Sequence, residues 1–157
     1  MNTKTEASEE FSYELKIPEE RVAVLIGAAG GTKKEIELET KCKLDITKEG
    51  DVTIIGDDGL LLFITKEIVR AIARGFNPRL ALLLLKQDYV LEIIDMKDMA
   101  GKSKSTMERL KGRVIGTGGK ARAEIERLTG THVSIYGKTI GIIGECGDVS
   151  LAREAMA

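Results

Sequence analysis

The sequence predicts an α/β protein of the α+β sandwich type, made of two tandem domains joined by a short helix. Two observations support this: an internal repeat, and strand-like and helix-like hydrophobic periods in the order β-α-α-β-β-α in both halves. The 157 residues provide two domains of about 70–80 residues, each near the lower limit for an independent core. We therefore expect each domain to hold a three-stranded antiparallel sheet backed by three helices.

The internal repeat relates residues 26–47 to residues 115–136, a displacement of 89 positions. Eight of the 22 aligned pairs are identical: Ile26/Ile115, Gly27/Gly116, Gly30/Gly119, Glu35/Glu124, Ile36/Ile125, Glu37/Glu126, Thr40/Thr129 and Ile46/Ile135. After a one-residue shortening in the following hairpin, the Ile-Ile-Gly of residues 54–56 falls on residues 142–144. This match indicates a tandem duplication and hence two domains of one fold.

The first domain is predicted over residues 11–76, after a flexible polar tail over residues 1–10. Its predicted elements are a strand over 11–17, helices over about 19–27 and 33–40, a hairpin of 43–47 and 51–56, and a closing helix over about 60–74. In the first strand, Phe11, Tyr13, Leu15 and Ile17 alternate with polar residues and are expected on one face. Gly75 is expected to cap the closing helix in a left-handed conformation.

A linker helix is predicted over residues 77–87, with Asn77 as N-cap and Pro78 at the first helical position. Its five leucines are too many for a solvated linker. We expect them to pack between the two domains and to fix their relative orientation.

The second domain is predicted over residues 88–157. Its predicted elements are a strand over 89–94, an insertion over about 96–106, a helix from about 105 to 116, a helix over 120–130 with Ile125 and Leu128 inward, strands on either side of a reversal at 136–138, and a final helix from about 147. The final helix is about five residues shorter than its counterpart in the first domain. We therefore expect that a C-terminal extension is missing.

The glycine-rich turn at residues 116–119, Gly-Thr-Gly-Gly, points most directly to function. It stands between two predicted helices and has almost no side-chain bulk, so the first N–H groups of the following helix are free to face an anion. The helix dipole favours an anion there, and Lys120 and Arg122 add full positive charges. This chemistry suits a phosphate on an extended strand.

Positive charge is concentrated around this turn, although the whole chain has a net charge of −1. Residues 1–85 hold 12 Lys and Arg against 15 Asp and Glu, whereas residues 86–157 hold 12 against 10. Residues 97–127 alone hold 9 basic against 4 acidic side chains, a local net charge of +5. Because a polyanion responds to the local field, we rank this turn above the corresponding turn at residues 27–30.

The sequence Val-Ile-Gly-Thr-Gly-Gly-Lys at residues 114–120, between two helices and before a hairpin, resembles the GXXG loop of a type I KH domain. Such loops clamp the backbone of about four single-stranded nucleotides, so the resemblance implies RNA as the ligand. The expected RNA-binding residues are the turn, its basic surroundings and an apolar groove: Ile115, Gly116, Thr117, Gly118, Gly119, Lys120, Arg122, Ile125, Val133, Ile135, Lys102, Lys104 and Arg113. A secondary RNA or protein site is expected at Gly27, Ala28, Ala29, Gly30, Lys33 and Lys34.

Other functions find little support in the sequence. No catalytic triad, Cys/His pair or paired carboxylates are apparent, and Gly116, Gly118 and Ala121 match a dinucleotide fingerprint only after a helix, not the required strand. We expect no enzymatic activity, cofactor or metal, and interpret Cys42 and Cys146 as buried thiols in a reducing compartment. Neither a membrane span nor an export leader is apparent, so a cytoplasmic location is expected.

Nearly the whole chain, from about residue 9 to residue 157, resembles the archaeal Partner-of-Nob (Dim) family. The resemblance rests on the tandem domains, on residues 72–78 (Ile-Ala-Arg-Gly-Phe-Asn-Pro), on the basic insertion and on the Gly-Arg-Val-Ile-Gly-Thr-Gly-Gly-Lys run that begins at 112. It implies an assembly factor of the small ribosomal subunit that binds near the 3′ end of 16S precursor rRNA. It also implies cooperation with the Nob endonuclease, which makes the cut. Separately, we expect the protein to be a monomer.

Two other functional classes remain open at this point. One is a general KH RNA-binding module of translation or RNA decay. The other is a protein-docking adaptor in which the KH domains serve mainly as scaffold. The first glycine turn, at residues 27–30, lies in an acidic domain and is as compatible with protein docking as with RNA binding. It therefore does not distinguish between these two classes.

Overall fold

The computed structural model describes residues 2–3, 5–6, 10–100 and 104–156, with side chains described for 10–98 and 104–156. The chain separates into two compact units, Met1–Ala73 and Arg74–Ala157. Within the predicted tail, Asn2–Thr3 and Thr5–Glu6 form two short parallel strands. The remaining tail residues up to residue 9 lie outside the described part of the chain.

The first unit has the predicted β-α-α-β-β-α order. Its elements are β1 (Phe11–Lys16), α1 (Val22–Ile26), α2 (Gly31–Thr40), β2 (Lys43–Ile46), β3 (Asp51–Gly56) and α3 (Gly59–Ala73), with short 3-10 helices at Glu19–Arg21 and Ala28–Gly30. The sheet is antiparallel with the order β1-β3-β2, in a register that pairs Phe11 with Gly56 and Lys43 with Ile55. The last strand therefore lies in the centre, and the other two form the edges.

The core of the first unit draws apolar side chains from the sheet and from all three helices: Ile17, Leu25, Ile36, Leu44, Ile54, Ile68 and Ile72. Burying each contributes about 1.5–3 kcal/mol relative to leaving it exposed. The strand forms as predicted, but Phe11 and Tyr13 are 43% and 42% exposed. Both lie near the start of the edge strand β1, whereas burial is complete only past its other end, at Ile17.

The second unit repeats the same plan with additions at its start and after its first strand. Its elements are α4 (Pro78–Ala81), β4 (Tyr89–Asp95), α5 (Met96–Ala100), α6 (Lys104–Ile115), α7 (Lys120–Thr129), β5 (His132–Tyr136), β6 (Thr139–Glu145) and α8 (Cys146–Met156), with 3-10 helices at Leu82–Leu85 and Thr117–Gly119. Its sheet is antiparallel with the order β4-β6-β5. The strand β5 is thus an edge strand, and it directly follows α7.

The core of the second unit lies between this sheet and the helices α6 and α8. Its buried members are Ile94, Met96, Leu110, Val114, Val133, Ile140, Ile142, Val149, Ala152 and Met156. The helix α7 contributes the half-buried Ile125, but the prediction that Leu128 also points inward is wrong, because it is 68% exposed. The partly covered positions of α7 are 121, 125, 126 and 129, and at about 100° per residue their centre lies about a quarter of a turn around the helix from residue 128.

The linker belongs to the second unit. As predicted, Asn77 caps α4, where its side-chain oxygen accepts a hydrogen bond of 3.0 Å from the N–H of Leu80, and Pro78 follows at the first helical position. The 3-10 helix Leu82–Leu85 contacts β4 and β6, and its Leu84 is buried. Phe76 is also buried, with its ring close to Gly141 in β6.

Arg74 fastens the start of the second unit to the β5–β6 hairpin. Its guanidinium donates hydrogen bonds to Thr139 Oγ1 at 2.9 Å and to the carbonyl of Tyr136 at 3.1 Å, and it lies 4.9 Å from the centre of the Tyr136 ring. Ser134 Oγ donates to the Arg74 carbonyl at 2.9 Å. Gly75 has the predicted positive φ, 101°, and a Cβ there would lie 2.5 Å from Ser134 Oγ. The chain therefore needs glycine at this position.

The two cysteines differ in exposure. Cys42 is buried, as predicted, but Cys146 is exposed, because it is the first residue of α8 and lies at the surface. The prediction of a second buried thiol is therefore wrong. Among the described helices, none has the combination of length and apolar composition that crossing a membrane requires.

Candidate nucleic-acid interface

The second glycine turn has a backbone that only glycine adopts without strain. Gly116 ends α6 with φ 71° and ψ 179°, a region essentially restricted to glycine, while Gly118 and Gly119 lie in the left-handed region with φ of 62° and 80°. The N–H of Gly116 completes α6 by donating to the Gly112 carbonyl at 2.8 Å. Residues 116–119 thus separate the end of α6 from the start of α7 at Lys120.

The two sides of this turn differ in how closely they are packed. A Cβ on Gly116 would lie 2.7 Å from the backbone nitrogen of Ala121, so the first glycine lets α6 and α7 approach each other closely. A Cβ on Gly118 or Gly119 would meet nothing within 4 Å. The outer side of the turn is therefore open at the start of α7, where the N–H of Lys120 donates to the carbonyl of Thr117 and the N–H of Gly119 donates to the carbonyl of Gly116 at 3.3 Å.

The first turn reproduces this geometry. Gly27 has φ 77° and ψ 171°, Gly30 has φ 75°, and a Cβ on Gly27 would lie 2.7 Å from the backbone nitrogen of Thr32. At the position of Gly118 stands Ala29, which adopts the left-handed φ of 54° despite its Cβ. The sequence repeat is therefore a repeat of backbone conformation.

The side chains beside the first turn carry mixed charge. Lys34 is exposed and Lys33 half-buried, with the exposed Glu35 and Glu39 on the same helix. The four turn residues of the predicted secondary site, 27–30, are exposed or half-buried. The structure therefore brings the residues of the secondary site together, in a less positive setting than at the second turn.

Basic side chains of the second unit lie on both sides of the second turn. Lys120 and Arg122 are exposed on the first turns of α7, together with Thr117 in the loop. Arg113 is exposed but donates to the carbonyl of Met156 at 3.2 Å, so it also ties α6 to α8. The structure thus places Lys120 and Arg122 beside the open turn and gives Arg113 a structural contact.

The predicted apolar groove is formed only in part by side chains. Ile115, Ile125 and Ile135 are half-buried, and the last two pack against the core from its edge. The side chain of Val133 is 5% exposed and belongs to the core itself. The side chain of Val133 is therefore not available to a ligand.

A cavity of about 430 Å³ opens beside α6. It is lined by Met96, Lys104, Met107, Glu108, Lys111, Gly137 and Lys138. Three lysines against one glutamate make its rim positive, and Lys104 is the predicted RNA-binding residue that takes part in it. Lys102, the other predicted residue of the insertion, lies outside the described residues.

One residue of this surface was not expected from the sequence. Glu126 accepts a hydrogen bond of 2.8 Å on Oε2 from the N–H of Val133, and its counterpart Glu37 accepts the same bond, also 2.8 Å, from Leu44. The sequence signal was present, because Glu37 and Glu126 are one of the eight identical pairs of the repeat. Within the described residues, no group of acidic, histidine or cysteine side chains is arranged to hold a metal ion.

Comparisons with protein families agree with the geometry. Residues 90–157 match the family described as "Eukaryotic type KH-domain (KH-domain type I)", and residues 12–60 match the KH domain family. A KH domain-containing protein of Methanocaldococcus jannaschii is 52% identical over 146 residues. That match covers 90% of this chain, and the chain spans 64% of the length of the relative. Both units are therefore type I KH domains, and the chain is a tandem KH protein.

Two solved structures from Pyrococcus horikoshii indicate to which family of tandem KH proteins the chain belongs. Dim2p superposes with a TM-score of 0.86 at 41% identity, over 93% of this chain and 88% of that chain. A complex of a/eIF2alpha, aDim2p and rRNA gives a TM-score of 0.88 at 41% identity, over 96% and 85%. The chain belongs to the Dim2p family of tandem KH proteins, the Partner-of-Nob family that its motifs resemble.

A shorter similarity extends to a different class of protein. Polyribonucleotide nucleotidyltransferase of Streptococcus agalactiae is 37% identical over 60 residues, which is 38% of this chain but 8% of that enzyme. The similarity is thus the size of one domain.

Proposed function

We propose that this protein binds single-stranded RNA through its second KH domain and acts in assembly of the small ribosomal subunit. The observation that carries the proposal is the open glycine turn at the N-terminus of α7, with Lys120 and Arg122 exposed beside it. Its RNA would be the region near the 3′ end of 16S precursor rRNA. Similarity to the aDim2p that was crystallised with rRNA supports this choice.

In the proposed complex, the RNA backbone crosses the second turn. Its phosphates accept hydrogen bonds from the N–H groups at the start of α7, and Lys120 and Arg122 neutralise part of their charge. The bases point toward Ile115, Ile125 and Ile135, where apolar surface is available without an aromatic platform. The phosphate contacts position the strand, and base discrimination comes from the groove and the β5 edge.

The protein itself acts as a binding partner in this proposal and not as a catalyst. Holding the precursor near its 3′ end would present the cleavage site to a Nob-type endonuclease, which makes the cut. The binding unit is the monomer, without a cofactor. The first turn, residues 27–30 with Lys33 and Lys34, serves as a weaker secondary site for RNA or protein.

A protein-docking adaptor is the second candidate function. It is supported by the presence of a/eIF2alpha beside aDim2p in the similar complex from Pyrococcus horikoshii. A role in RNA decay has weaker support, because the similarity to polyribonucleotide nucleotidyltransferase covers 8% of that enzyme.

Crosslinking of the protein to RNA in living cells, followed by sequencing of the bound RNA, separates these functions. Ribosome assembly predicts enrichment of the 3′ region of 16S rRNA, including sequence beyond the mature end. Crosslinks scattered over messenger RNA would instead favour a general decay or translation module. Recovery of no RNA, with a protein partner retained, would favour the adaptor.

A further inference from the structure

Glu126 contacts both parts of the proposed RNA site. Its Oε2 atom accepts the 2.8 Å hydrogen bond from the N–H of Val133, in the edge strand β5. Its Oε1 atom lies 4.0 Å from Nε of Arg122, on the helix whose N-terminus forms the open turn. The carboxylate is half-buried, so these contacts are partly shielded from water.

The bond to Val133 reveals how the β5 edge is oriented. In an antiparallel edge strand, alternate residues direct their N–H and C=O groups away from the sheet. Val133 bonds to Glu126 and not to β6, so its N–H is one of the outward groups, and two residues later the backbone of Ile135 points the same way. Glu126 therefore binds the outward N–H of Val133. The next outward N–H and C=O groups along the β5 edge are those of Ile135.

The turn between α7 and β5 has contacts of its own. The chain turns at Gly130, which has a φ of 68°, and the hydroxyls of Thr129 and Thr131 lie 2.8 Å apart within this turn. Those hydroxyls brace the turn itself. Glu126 reaches past it and fixes the distance between the helix and the strand.

We propose that Glu126 is a positioning residue for base recognition. By fixing β5 relative to α7, it places the outward backbone groups of Ile135 where a base can reach them while its phosphate lies on the glycine turn. This inference rests on the proposed function, because it concerns how the same RNA strand is read. It assigns to a carboxylate, which repels phosphate, a contribution to sequence discrimination.

The test uses the full chain and fluorescently labelled oligoribonucleotides with the 16S 3′-end sequence, in which each base in turn is replaced. Glu126→Ala removes the bond to Val133, and Glu126→Asp keeps the charge but shortens the reach. We expect both variants to lower the affinity ratio between the preferred and the replaced RNA by about threefold to tenfold, the effect of one hydrogen bond. Glu126→Gln should retain most of the ratio, because its amide oxygen still accepts from Val133.

Glu37→Ala is the matched control, since it removes the equivalent bond to Leu44 in the first domain. It should leave the ratio within about twofold of wild type, a change below the strength of one hydrogen bond. If Glu126→Ala does not fold, as judged by circular dichroism, the test is the affinity ratio of the Asp variant compared with that of the Gln variant.

Three results would overturn the inference. Discrimination that stays unchanged in the Ala and Asp variants, or affinity that falls equally for all RNAs, would show that Glu126 does not position the base-reading edge. A wild-type protein that binds none of the oligonucleotides would overturn the proposed function and this inference together.

Discussion

Single glycines in the two turns have separable roles. Gly116 occupies a glycine-only region and has no space for a Cβ, whereas Gly118 has open space on its outer side. The chain itself provides a precedent for a Cβ at the latter position, because Ala29 adopts a left-handed φ of 54° in the first turn. The first glycine of the turn therefore serves the packing of the helices, and the third residue leaves the outer surface open.

Gly116→Ala and Gly118→Ala should differ accordingly. We expect Gly116→Ala to lower the free energy of unfolding by about 2–4 kcal/mol, from backbone strain and the clash with Ala121. Gly118→Ala should cost about 1 kcal/mol, the ordinary penalty of the left-handed region. Urea denaturation of the full chain measures both, and equal losses would contradict the assignment of different roles.

Paired aspartates test the ranking of the two turns for RNA binding. Thr117→Asp with Gly118→Asp places two carboxylates on the exposed loop, where aspartate tolerates a left-handed φ. We expect RNA affinity to fall by about tenfold or more through repulsion of phosphate, with the fold retained. The measurement is binding of a 16S 3′-end oligonucleotide by anisotropy, with circular dichroism as the check on folding.

Ala28→Asp with Ala29→Asp is the matched variant in the first turn. Its effect on affinity should be smaller, because the first domain is acidic and its turn is the weaker site. Equal losses at the two turns would reverse the ranking.

At the scale of secondary-structure elements, the β5–β6 hairpin depends on Arg74, the first residue of the second unit. Arg74 donates to both Tyr136 and Thr139 and lies over the Tyr136 ring. The hairpin also contains β5, the proposed base-reading strand. Its conformation is therefore supported from outside its own sequence.

Arg74→Ala should loosen this hairpin. We expect a loss of about 1–3 kcal/mol in unfolding free energy, since the Tyr136 carbonyl and the Thr139 hydroxyl lose a charged donor. Hydrogen exchange of the amides of residues 134–140 should accelerate. Arg79→Ala, at an exposed position of α4, is the control and should leave exchange unchanged.

At the scale of the whole molecule, the second folding unit begins at Arg74, before the linker helix. The buried Phe76, Ala81 and Leu84 belong to this unit, and the 3-10 helix that carries Leu84 packs against β4 and β6. Removing them would expose apolar surface of the sheet to water. The linker is thus a structural part of the second KH domain.

A pair of fragments tests this boundary. We expect residues 74–157 to fold cooperatively, whereas residues 88–157 should be less stable by several kcal/mol, because three buried side chains are lost. Thermal melts followed by circular dichroism compare the two. Equal melting temperatures would show that the linker contributes nothing to the second domain.

Much of the architecture could be predicted because it depends on local signals. The glycine turns, the Asn77-Pro78 helix start and the alternation of the hairpin strands are each encoded within a few neighbouring residues. The repeat presents the glycine turn and the hairpin alternation twice. The errors concern Leu128 and Cys146, whose environment depends on distant parts of the chain.

The sequence by itself determined the duplicated KH fold, the place of both glycine turns and the excess of positive charge around the second turn. Only the tertiary structure decided that Val133 belongs to the core, that Arg74 supports the hairpin and that Glu126 links α7 to β5. The physical reason is the distance along the chain between the residues that interact. Backbone conformation and helix capping depend on neighbours along the chain, whereas burial and side-chain bonding depend on which elements the fold brings together.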